Sequence, residues 1–281
     1  MNGVLYVATN TNRWHAPACK ESKGIDVAYS IYAARSAASV KKLLPNVHIT
    51  LYADTINKEV LEREGLDGIF DEILFHQYPK FDSEGSYQFE SKLYAFLNSP
   101  YEKTIFLDAD TVVLSARIIE AYIALDYCDI AGVPYGNNNV WGESFKAFAI
   151  RGNFEKEAMV DKIPAYFIEC TSSMLAFNKS DINQKMFQLA YDIYMKDPYG
   201  WRELLKRSPI NKEYWSDMYT LWYAQWTSHV RRTILPQAFS HHGSSDKYKD
   251  GAEIIVHHSR QDYENLTLKG RSRNWKTQFD D

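Results

Sequence analysis

The alternation of strand-like and helix-like segments constrains the fold of this sequence more than any other feature. Short apolar runs rich in β-branched residues alternate with longer segments whose apolar residues recur at helical spacing. Three such strands, at 3–8, 47–54 and 68–75, alternate with two helices, at 25–44 and 57–64. Because this order favours a parallel sheet covered by helices, we expect an α/β protein.

The remainder of the sequence continues this pattern less regularly. We predict helices at 88–97, 181–196 and 216–228, strands at 104–107, 129–133 and 252–259, and a strand pair or one bent strand at 167–181. No repeat or linker divides the sequence, and 281 residues with 45% hydrophobic content are sufficient for one core. We therefore expect a single domain over 1–262 and a polar C-terminal tail over 263–281.

Charge and cysteine content argue against several classes of protein. The net charge is −4 with acidic and basic residues interspersed, which provides no basic surface for nucleic acid or for an anionic membrane. Three cysteines, Cys19, Cys128 and Cys170, are too few and too scattered for a disulfide framework or a zinc site. We see neither a signal-peptide pattern nor an apolar run of roughly 18 residues, so we expect a cytoplasmic protein without a transmembrane segment.

Two aspartates interrupt the apolar segment TIFLDADTVVL at 104–114. Asp108 and Asp110 directly follow a predicted strand, and alternate residues of an extended chain share a face. In open α/β sheets, ligands bind beyond the carboxyl ends of the strands. Two neighbouring carboxylates repel each other unless a cation lies between them, and Mg²⁺ or Mn²⁺ prefers oxygen ligands. The motif therefore indicates a divalent metal site, although an isolated Asp-x-Asp is more often an exposed acidic turn.

The segment KLYAFLNSPYEKTIFLDADTVVL, at 92–114, resembles the donor-binding core of nucleotide-sugar glycosyltransferases of the glycogenin-like family 8. It has the same order of a helix lysine, a helix-to-strand turn and an apolar strand ending in Asp-x-Asp. Weaker similarities follow the family's order: VATN at 7–10, CTSSMLAFNKSD at 170–181, SDMYTLW at 216–222 and IIVHHS at 254–259. Together the matches span most of the chain, and only the 92–114 block is specific by itself.

The resemblance implies a GT-A fold, with a Rossmann-like, mostly parallel central sheet flanked by helices. Residues 1–114 would form mainly the nucleotide-sugar donor half, and about 135–240 mainly the acceptor half. It also implies transfer of a hexose, glucose or galactose, from a UDP-sugar to a glycan, lipid or protein acceptor, with retention of anomeric configuration.

The metal ligands implied by the resemblance come from two distant segments. Asp108 and Asp110 would hold Mn²⁺ or Mg²⁺ against the donor diphosphate, with His257 as the third ligand. We favour this histidine because it directly follows an apolar run. Three other histidines are alternatives: His258, His241 and His242.

A larger set of residues is implied to bind the donor. Its members are Ala8, Thr9, Asn10, Asp54, Lys92, Asp108 and Ala109. Lys92 would place a positive charge beside the phosphate or the donor sugar, although an ordinary exposed helix lysine is the simpler interpretation. The turn after the first strand would lie along the uridine and ribose. Asp54 could reach the base or ribose, or it could simply end its strand as a turn aspartate.

Asp217 and Lys92 are the predicted catalytic residues. The aspartate would contact the donor sugar or the acceptor, and its alternative is a helix N-terminal residue favoured by the helix dipole. The sequence departs from the family nearby, because Met218 replaces an amide that lies near the reacting carbon. A thioether is a poor substitute for that amide. Thr171 and Ser173 similarly replace the family's asparagine and glycine.

Two other classes of function remain alternatives. FLDADT also matches the Asp-x-Asp-x-Thr motif of haloacid-dehalogenase-like phosphatases, in which the first aspartate is a phosphoryl-accepting nucleophile. That family places the motif on its first strand, whereas here it lies about 100 residues into the chain. The other alternative is a glycosyltransferase-like protein that binds nucleotide or glycan without turnover, and the departure at Met218 is its best support.

Aromatic residues are dense in the predicted acceptor half. Trp141 and Trp201 lie near glycines in apparent loops, and loops on a rigid scaffold often carry recognition, so we predict that both contact the acceptor. Leu221, Trp222 and Trp226 fall at helical spacing and are expected in the core.

Overall fold

The computed structural model describes residues 1–9, 29–77, 89–134, 156, 161, 163, 168–207, 217–239, 241–242 and 254–257, with the backbone alone described for 205–207, 241–242 and 255–257. The strands are β1 Asn2–Ala8, β2 His48–Ala53, β3 Glu72–Phe75, β4 Lys103–Leu107, β5 Thr111–Val113, β6 Ile130–Pro134, β7 Cys170–Asn178, β8 Arg232–Ile234, β9 His241–His242 and β10 Ile255–His257. The helices are α1 Tyr29–Leu43, α2 Thr55–Glu64, α3 Glu90–Leu97, α4 Glu120–Ala124, α5 Asp181–Lys196, α6 Trp201–Arg207 and α7 Asp217–Thr227.

Seven strands form one central sheet in the order β3-β2-β1-β4-β7-β6-β8. The first four strands in this order are parallel to one another. β7 is antiparallel to both β4 and β6, and β8 is parallel to β6. The predicted mostly parallel α/β sheet is therefore confirmed, and strands from both predicted halves of the chain belong to it.

A second, small sheet contains β5, β10 and β9 in that order. β10 runs antiparallel to β5 and parallel to β9. The sequence predicted a late strand near β10 but neither β5 nor β9, because strands of three and two residues are too short to show a period. The segment predicted as a strand pair or a bent strand forms one nine-residue strand, β7.

Alternate residues of the central strands pack into two hydrophobic clusters, one on each face of the sheet. In β1, Leu5 joins the cluster that includes α3, α5 and α7, whereas Val4 and Tyr6 join the cluster that includes α1. β4 divides in the same way, with Phe106 in the first cluster and Ile105 in the second. Both faces are covered, as is usual for strands of a parallel sheet.

Helix ends follow local capping chemistry. Asp54 caps α2, since its Oδ1 accepts a hydrogen bond from the Asn57 N–H at 2.9 Å. The helix ends at Gly65, whose φ of 65° is left-handed and favours glycine. Ser180 caps α5 in the same way, and this helix has the predicted bounds.

The prediction that Trp201 is an exposed acceptor contact is wrong. Its side chain is 0% exposed, and its ring centroid lies 5.2 Å from that of Tyr199 and 5.1 Å from that of Tyr223. The Asp197 carboxylate accepts hydrogen bonds from the N–H groups of Trp201 and Arg202 at 2.7 and 3.1 Å, so the apparent loop is the capped start of α6.

Trp222 is a core residue, as predicted. It is 3% exposed, and its Nε1 donates to the Cys170 carbonyl at 2.7 Å. Trp141 and the predicted tail at 263–281 lie outside the described residues. Over the described part of the chain, no helix has both the length and the apolar character needed to cross a bilayer.

Candidate active site

A pocket lies at the carboxyl ends of β1 and β4. These strands are parallel neighbours, and β1 pairs with β2 on its other side. The chain places β2 and β3 on one side of β1 and then β4 on the other side, so the strand order reverses at β1. Ligands in open α/β sheets bind at such a switch point. The lining residues are Val7, Thr9, Tyr29, Phe89, Lys92, Phe106, Asp108, Ala109 and Asp110. The Asp-x-Asp motif therefore occupies the position in the fold where a ligand site is expected.

The turn that carries the two aspartates is fixed by hydrogen bonds at both ends. The Asp108 N–H donates to the Ser173 carbonyl in the neighbouring strand β7 at 2.8 Å. The Thr111 N–H donates back to the Asp108 carbonyl at 3.2 Å, which closes the turn before β5 begins. Ser173, where the sequence departs from the family, thus supports the aspartate turn through its backbone.

Lys92 on α3 lies against two carboxylates. Its Nζ is 2.7 Å from Asp108 Oδ1 and 3.7 Å from Asp217 Oδ2, and it donates to Ser172 Oγ at 3.3 Å. The lysine side chain is only 12% exposed, so this is not the exposed helix lysine that the sequence left as an alternative. The ion pairs place a partly desolvated cation at the edge of the pocket.

The charge on Lys92 is stabilised by its surroundings. Burial is the largest single influence and lowers the pKa of the lysine, but the negative charges of Asp108, Asp217 and Asp110 together outweigh it. The net shift of the pKa is upward, so the ammonium form persists across the physiological range. The nitrogen also lies 5.3 Å from the ring centroid of Phe106, at a distance suited to a cation–π contact.

Asp217 is the first residue of α7 and is 1% exposed. The structure therefore brings the two predicted catalytic residues, Asp217 and Lys92, to within 3.7 Å of each other. Met218, the next residue, is partly buried and packs against the hydrophobic cluster beneath α3, α5 and α7. The departure from the family at this position thus contributes an apolar contact.

The predicted third metal ligand lies beside the aspartate turn in the backbone. His257 in β10 pairs with Thr111 in β5, the residue directly after Asp110, and on its other side with His242 in β9. Cα atoms of such paired residues are about 5 Å apart. Two candidate histidines are therefore neighbours of the turn along the small sheet, whereas His258 lies outside the described residues.

The residues present are compatible with a divalent cation. Asp108 and Asp110 both line the pocket, and carboxylate oxygens suit Mg²⁺ or Mn²⁺. Among the side chains that the structure describes, no group of three or more His, Cys, Asp or Glu is arranged to hold a metal. The side chain of His257 is not among those described, so the predicted set of three ligands stays a prediction.

The other predicted donor-binding residues are placed differently from one another. Thr9 and Ala109 line the pocket. Ala8 is fully buried at the end of β1, and the Asp54 carboxylate is 2% exposed and occupied in capping α2, so neither of these side chains lines the pocket. Asn10 lies outside the described residues. A role for each in nucleotide binding stays a prediction.

Five residues at the site were not among those predicted from the sequence: Val7, Tyr29, Phe89, Phe106 and Ser172. Tyr29 is the first residue of α1, the next described helix after β1, and the start of such a helix faces the carboxyl edge of the sheet. That rule was available from the sequence. Phe89 and Ser172 reach the site through the packing of α3 and β7, which no local pattern predicts.

Comparison with solved structures identifies the fold. No protein-family model and no curated protein match the sequence. The galactosyltransferase LgtC, in complex with donor and acceptor sugar analogues, matches with a TM-score of 0.53 at 12% identity over 92% of this chain and 87% of that chain. An active-site variant of LgtC matches with a TM-score of 0.53 at 10% identity over 98% and 99% of the two chains.

The bifunctional glycosyltransferase WbbM matches with a TM-score of 0.52 at 14% identity over 99% of this chain and 50% of that chain. Identities this low establish the fold alone. The mixed seven-stranded sheet flanked by helices is that of GT-A glycosyltransferase structures, which confirms the predicted fold class.

Proposed function

We propose that this protein is a metal-dependent glycosyltransferase that moves a hexose, glucose or galactose, from a UDP-sugar to a glycan, lipid or protein acceptor with retention. The observation that carries the proposal is the position of Lys92, between Asp108 and Asp217 at the switch point of a GT-A fold. A nucleoside diphosphate requires cations at its phosphates, and a transferred sugar requires an anion near its reacting carbon. The site offers both.

Each proposed role follows from position. In the reaction, the bond between the sugar C1 and the diphosphate oxygen breaks and its electron pair stays on the diphosphate. An acceptor hydroxyl oxygen forms the new bond to C1 on the same face and passes its proton to the departing diphosphate. Lys92 stabilises the negative charge that develops on the departing diphosphate. Asp217 stabilises the positive charge that develops on the sugar. A divalent cation bound by Asp108, Asp110 and His257 would supply further neutralisation of the diphosphate.

The remaining pocket residues suit a nucleoside. Tyr29 and Phe89 provide aromatic surface beside Thr9, Ala109 and the aspartates, and a flat base is well matched by such surface. We assign the uridine and ribose to this side of the pocket, and we retain Ala8, Asn10 and Asp54 as proposed contacts of the nucleotide.

Two alternatives make different predictions for the same assay. A protein that binds nucleotide or glycan without turnover would be stabilised by UDP and metal but would not hydrolyse a donor. A haloacid-dehalogenase-like phosphatase would need Asp108 as its nucleophile, yet this residue follows the fourth strand along the chain and is paired with Lys92. The fold matches support a glycosyltransferase over this alternative.

A donor screen tests the proposal most directly. Purified protein is incubated with UDP-glucose, UDP-galactose, GDP-mannose and CMP-sialic acid, each with Mn²⁺ or with chelator, and release of the nucleotide is measured. We expect hydrolysis of one UDP-hexose that depends on Mn²⁺, together with a rise in melting temperature with UDP only when metal is present. Preference for a GDP- or CMP-sugar, or phosphatase activity without nucleotide, would overturn it.

A further inference from the structure

A chain of buried hydroxyl groups connects β1 and α1 to the turn that carries Asp108 and Asp110. The Tyr6 hydroxyl is 2.8 Å from Ser36 Oγ, and Ser36 Oγ is 3.0 Å from Thr111 Oγ1. The Thr111 hydroxyl in turn is 2.7 Å from the Asp108 carbonyl oxygen. All three hydroxyl-bearing residues are 0% exposed, so water does not compete for these bonds.

The direction of each hydrogen bond follows from the number of protons available. A carbonyl oxygen only accepts, so the Thr111 hydroxyl donates its single proton to Asp108. Ser36 must therefore donate to Thr111 Oγ1, and Tyr6 must donate to Ser36 Oγ. The Ser36 and Thr111 hydroxyls each accept one bond and donate the next, an arrangement in which successive bonds polarise and strengthen one another.

Thr111 also holds the turn through its backbone. Its N–H donates to the Asp108 carbonyl, so a single threonine makes two hydrogen bonds to the same oxygen. In the small sheet it pairs with His257, and two residues further on the Val113 N–H donates to Ser39 Oγ in α1 at 3.0 Å. The turn is thereby tied both to α1 and to the strand that carries the predicted histidine ligand.

We infer that Thr111 and Ser36 are positioning residues that order the turn carrying Asp108 and Asp110 before any ligand binds. The inference rests on the proposed function, which assigns those aspartates to a metal and a diphosphate. Two adjacent carboxylates repel each other, and a turn without external support would separate them. Fixing them in advance removes part of the ordering cost of binding and so raises affinity.

Three substitutions separate positioning from general stability. Thr111→Val removes the hydroxyl and keeps the branched shape that suits a strand, and Thr111→Ser retains the hydroxyl. The matched control is Thr104→Val, at the other end of β4. Thr104 is also 0% exposed, and its Oγ1 is hydrogen-bonded to Ser99 Oγ at 2.6 Å. Removing the Thr104 hydroxyl therefore removes a comparable buried hydrogen bond at a distance from the turn.

Two measurements are made on each full-length variant. Hydrogen exchange of the peptide covering 107–113 is followed without metal, and binding of Mn²⁺ with UDP is followed by the electron paramagnetic resonance signal of free Mn²⁺. We expect Thr111→Val to accelerate exchange in this peptide and to weaken Mn²⁺ binding roughly 10-fold or more. Thr111→Ser should behave like the wild type, and Thr104→Val should change neither measurement at the turn.

The outcomes distinguish this inference from the proposed function. If Thr111→Val changes exchange and binding no more than Thr104→Val, the positioning role is wrong, whatever the wild type binds. If the wild type binds no Mn²⁺ with UDP while Thr111→Val still accelerates exchange at the turn, the proposed function fails and the ordering role of the hydroxyl chain stands. Ser36→Ala should give an intermediate effect, since it leaves the bond from Thr111 to Asp108 in place.

Discussion

The ammonium nitrogen of Lys92 lies 2.7 Å from the Asp108 carboxylate. This contact joins α3 to the turn after β4. The lysine charge balances that of Asp108, which lies close to the second carboxylate, Asp110. A bound metal would compete with the lysine for Asp108 and leave the ammonium nearer to Asp217 and to an incoming phosphate. If the proposed metal site is occupied in the functional protein, the pair would therefore link metal binding to the availability of Lys92.

Asp110→Asn is expected to weaken Mn²⁺-dependent UDP binding. The amide removes a charged oxygen ligand while the side-chain volume is retained. Substitution of residues that merely support a metal ligand commonly costs about 10- to 100-fold in affinity, so loss of a ligand should cost at least roughly 10-fold. Calorimetric titration with UDP, with Mn²⁺ or with chelator, measures the effect. Equal affinity of the variant and the wild type in Mn²⁺ would show that Asp110 binds no metal.

Lys92→Met is expected to lower the free energy of unfolding by about 3 kcal/mol, because the buried Asp217 carboxylate loses the positive charge of Lys92. We also expect added Mn²⁺ to raise the melting temperature of this variant more than that of the wild type, since the lysine no longer competes for Asp108. Lys92→Arg, which keeps the charge, is the control. Thermal melting with and without Mn²⁺ measures both effects, and an equal response of all three proteins would argue against the competition.

Asp217→Asn is expected to separate catalysis from nucleotide binding. The proposed role of Asp217 is to stabilise positive charge on the sugar, so donor hydrolysis should fall roughly 100-fold. Binding of UDP, which lacks the sugar, should change little. Steady-state hydrolysis and UDP titration of the same preparation provide the comparison. A loss of UDP affinity as large as the loss of rate would instead place Asp217 at the nucleotide.

The parts of this site that the sequence predicted are those defined by local patterns. Asp108 and Asp110 follow a strand, and their position at the edge of the sheet comes from the direction of that strand. The approach of Lys92 to Asp217 depends on how α3 and α7 pack against each other. The family resemblance placed both residues at the donor site, but the periodicity of the sequence does not predict this packing. The prediction for Trp201 was wrong because the glycine before it suggested a loop. In the structure a helix begins at Trp201, and the Asp197 carboxylate accepts a hydrogen bond from the Trp201 N–H.

Asp129 should contribute stability that depends on pH. Hydrogen bonds from the Arg231 guanidinium, at 2.8 and 3.1 Å, hold the pKa of the Asp129 carboxyl below its ordinary value. Because the pKa of Asp129 is lower in the folded than in the unfolded state, where it is about 3.9, the ionised carboxylate stabilises the fold above that pH. This stability is lost as the pH falls through the lower pKa of the folded state. Wild type and Asp129→Asn should therefore differ by a constant amount between about pH 6 and 8 and converge below about pH 4. Urea unfolding across this range measures the difference. Arg231→Gln should reduce the pH dependence without abolishing it, because the backbone N–H of residue 231 also donates to Asp129 Oδ2, at 2.9 Å.

Trp201→Ala is expected to behave as a core substitution. The Trp201 ring is fully buried between Tyr199 and Tyr223, and Trp222 is buried against β7. Trp201→Ala and Trp222→Ala should therefore each lower the free energy of unfolding by about 3 to 5 kcal/mol. Trp201→Phe, which retains an aromatic ring, should cost less. Urea unfolding of the three variants, combined with transfer and donor-hydrolysis assays, tests this expectation. Near-wild-type stability of Trp201→Ala with selective loss of transfer would mean that the indole contacts the acceptor after all.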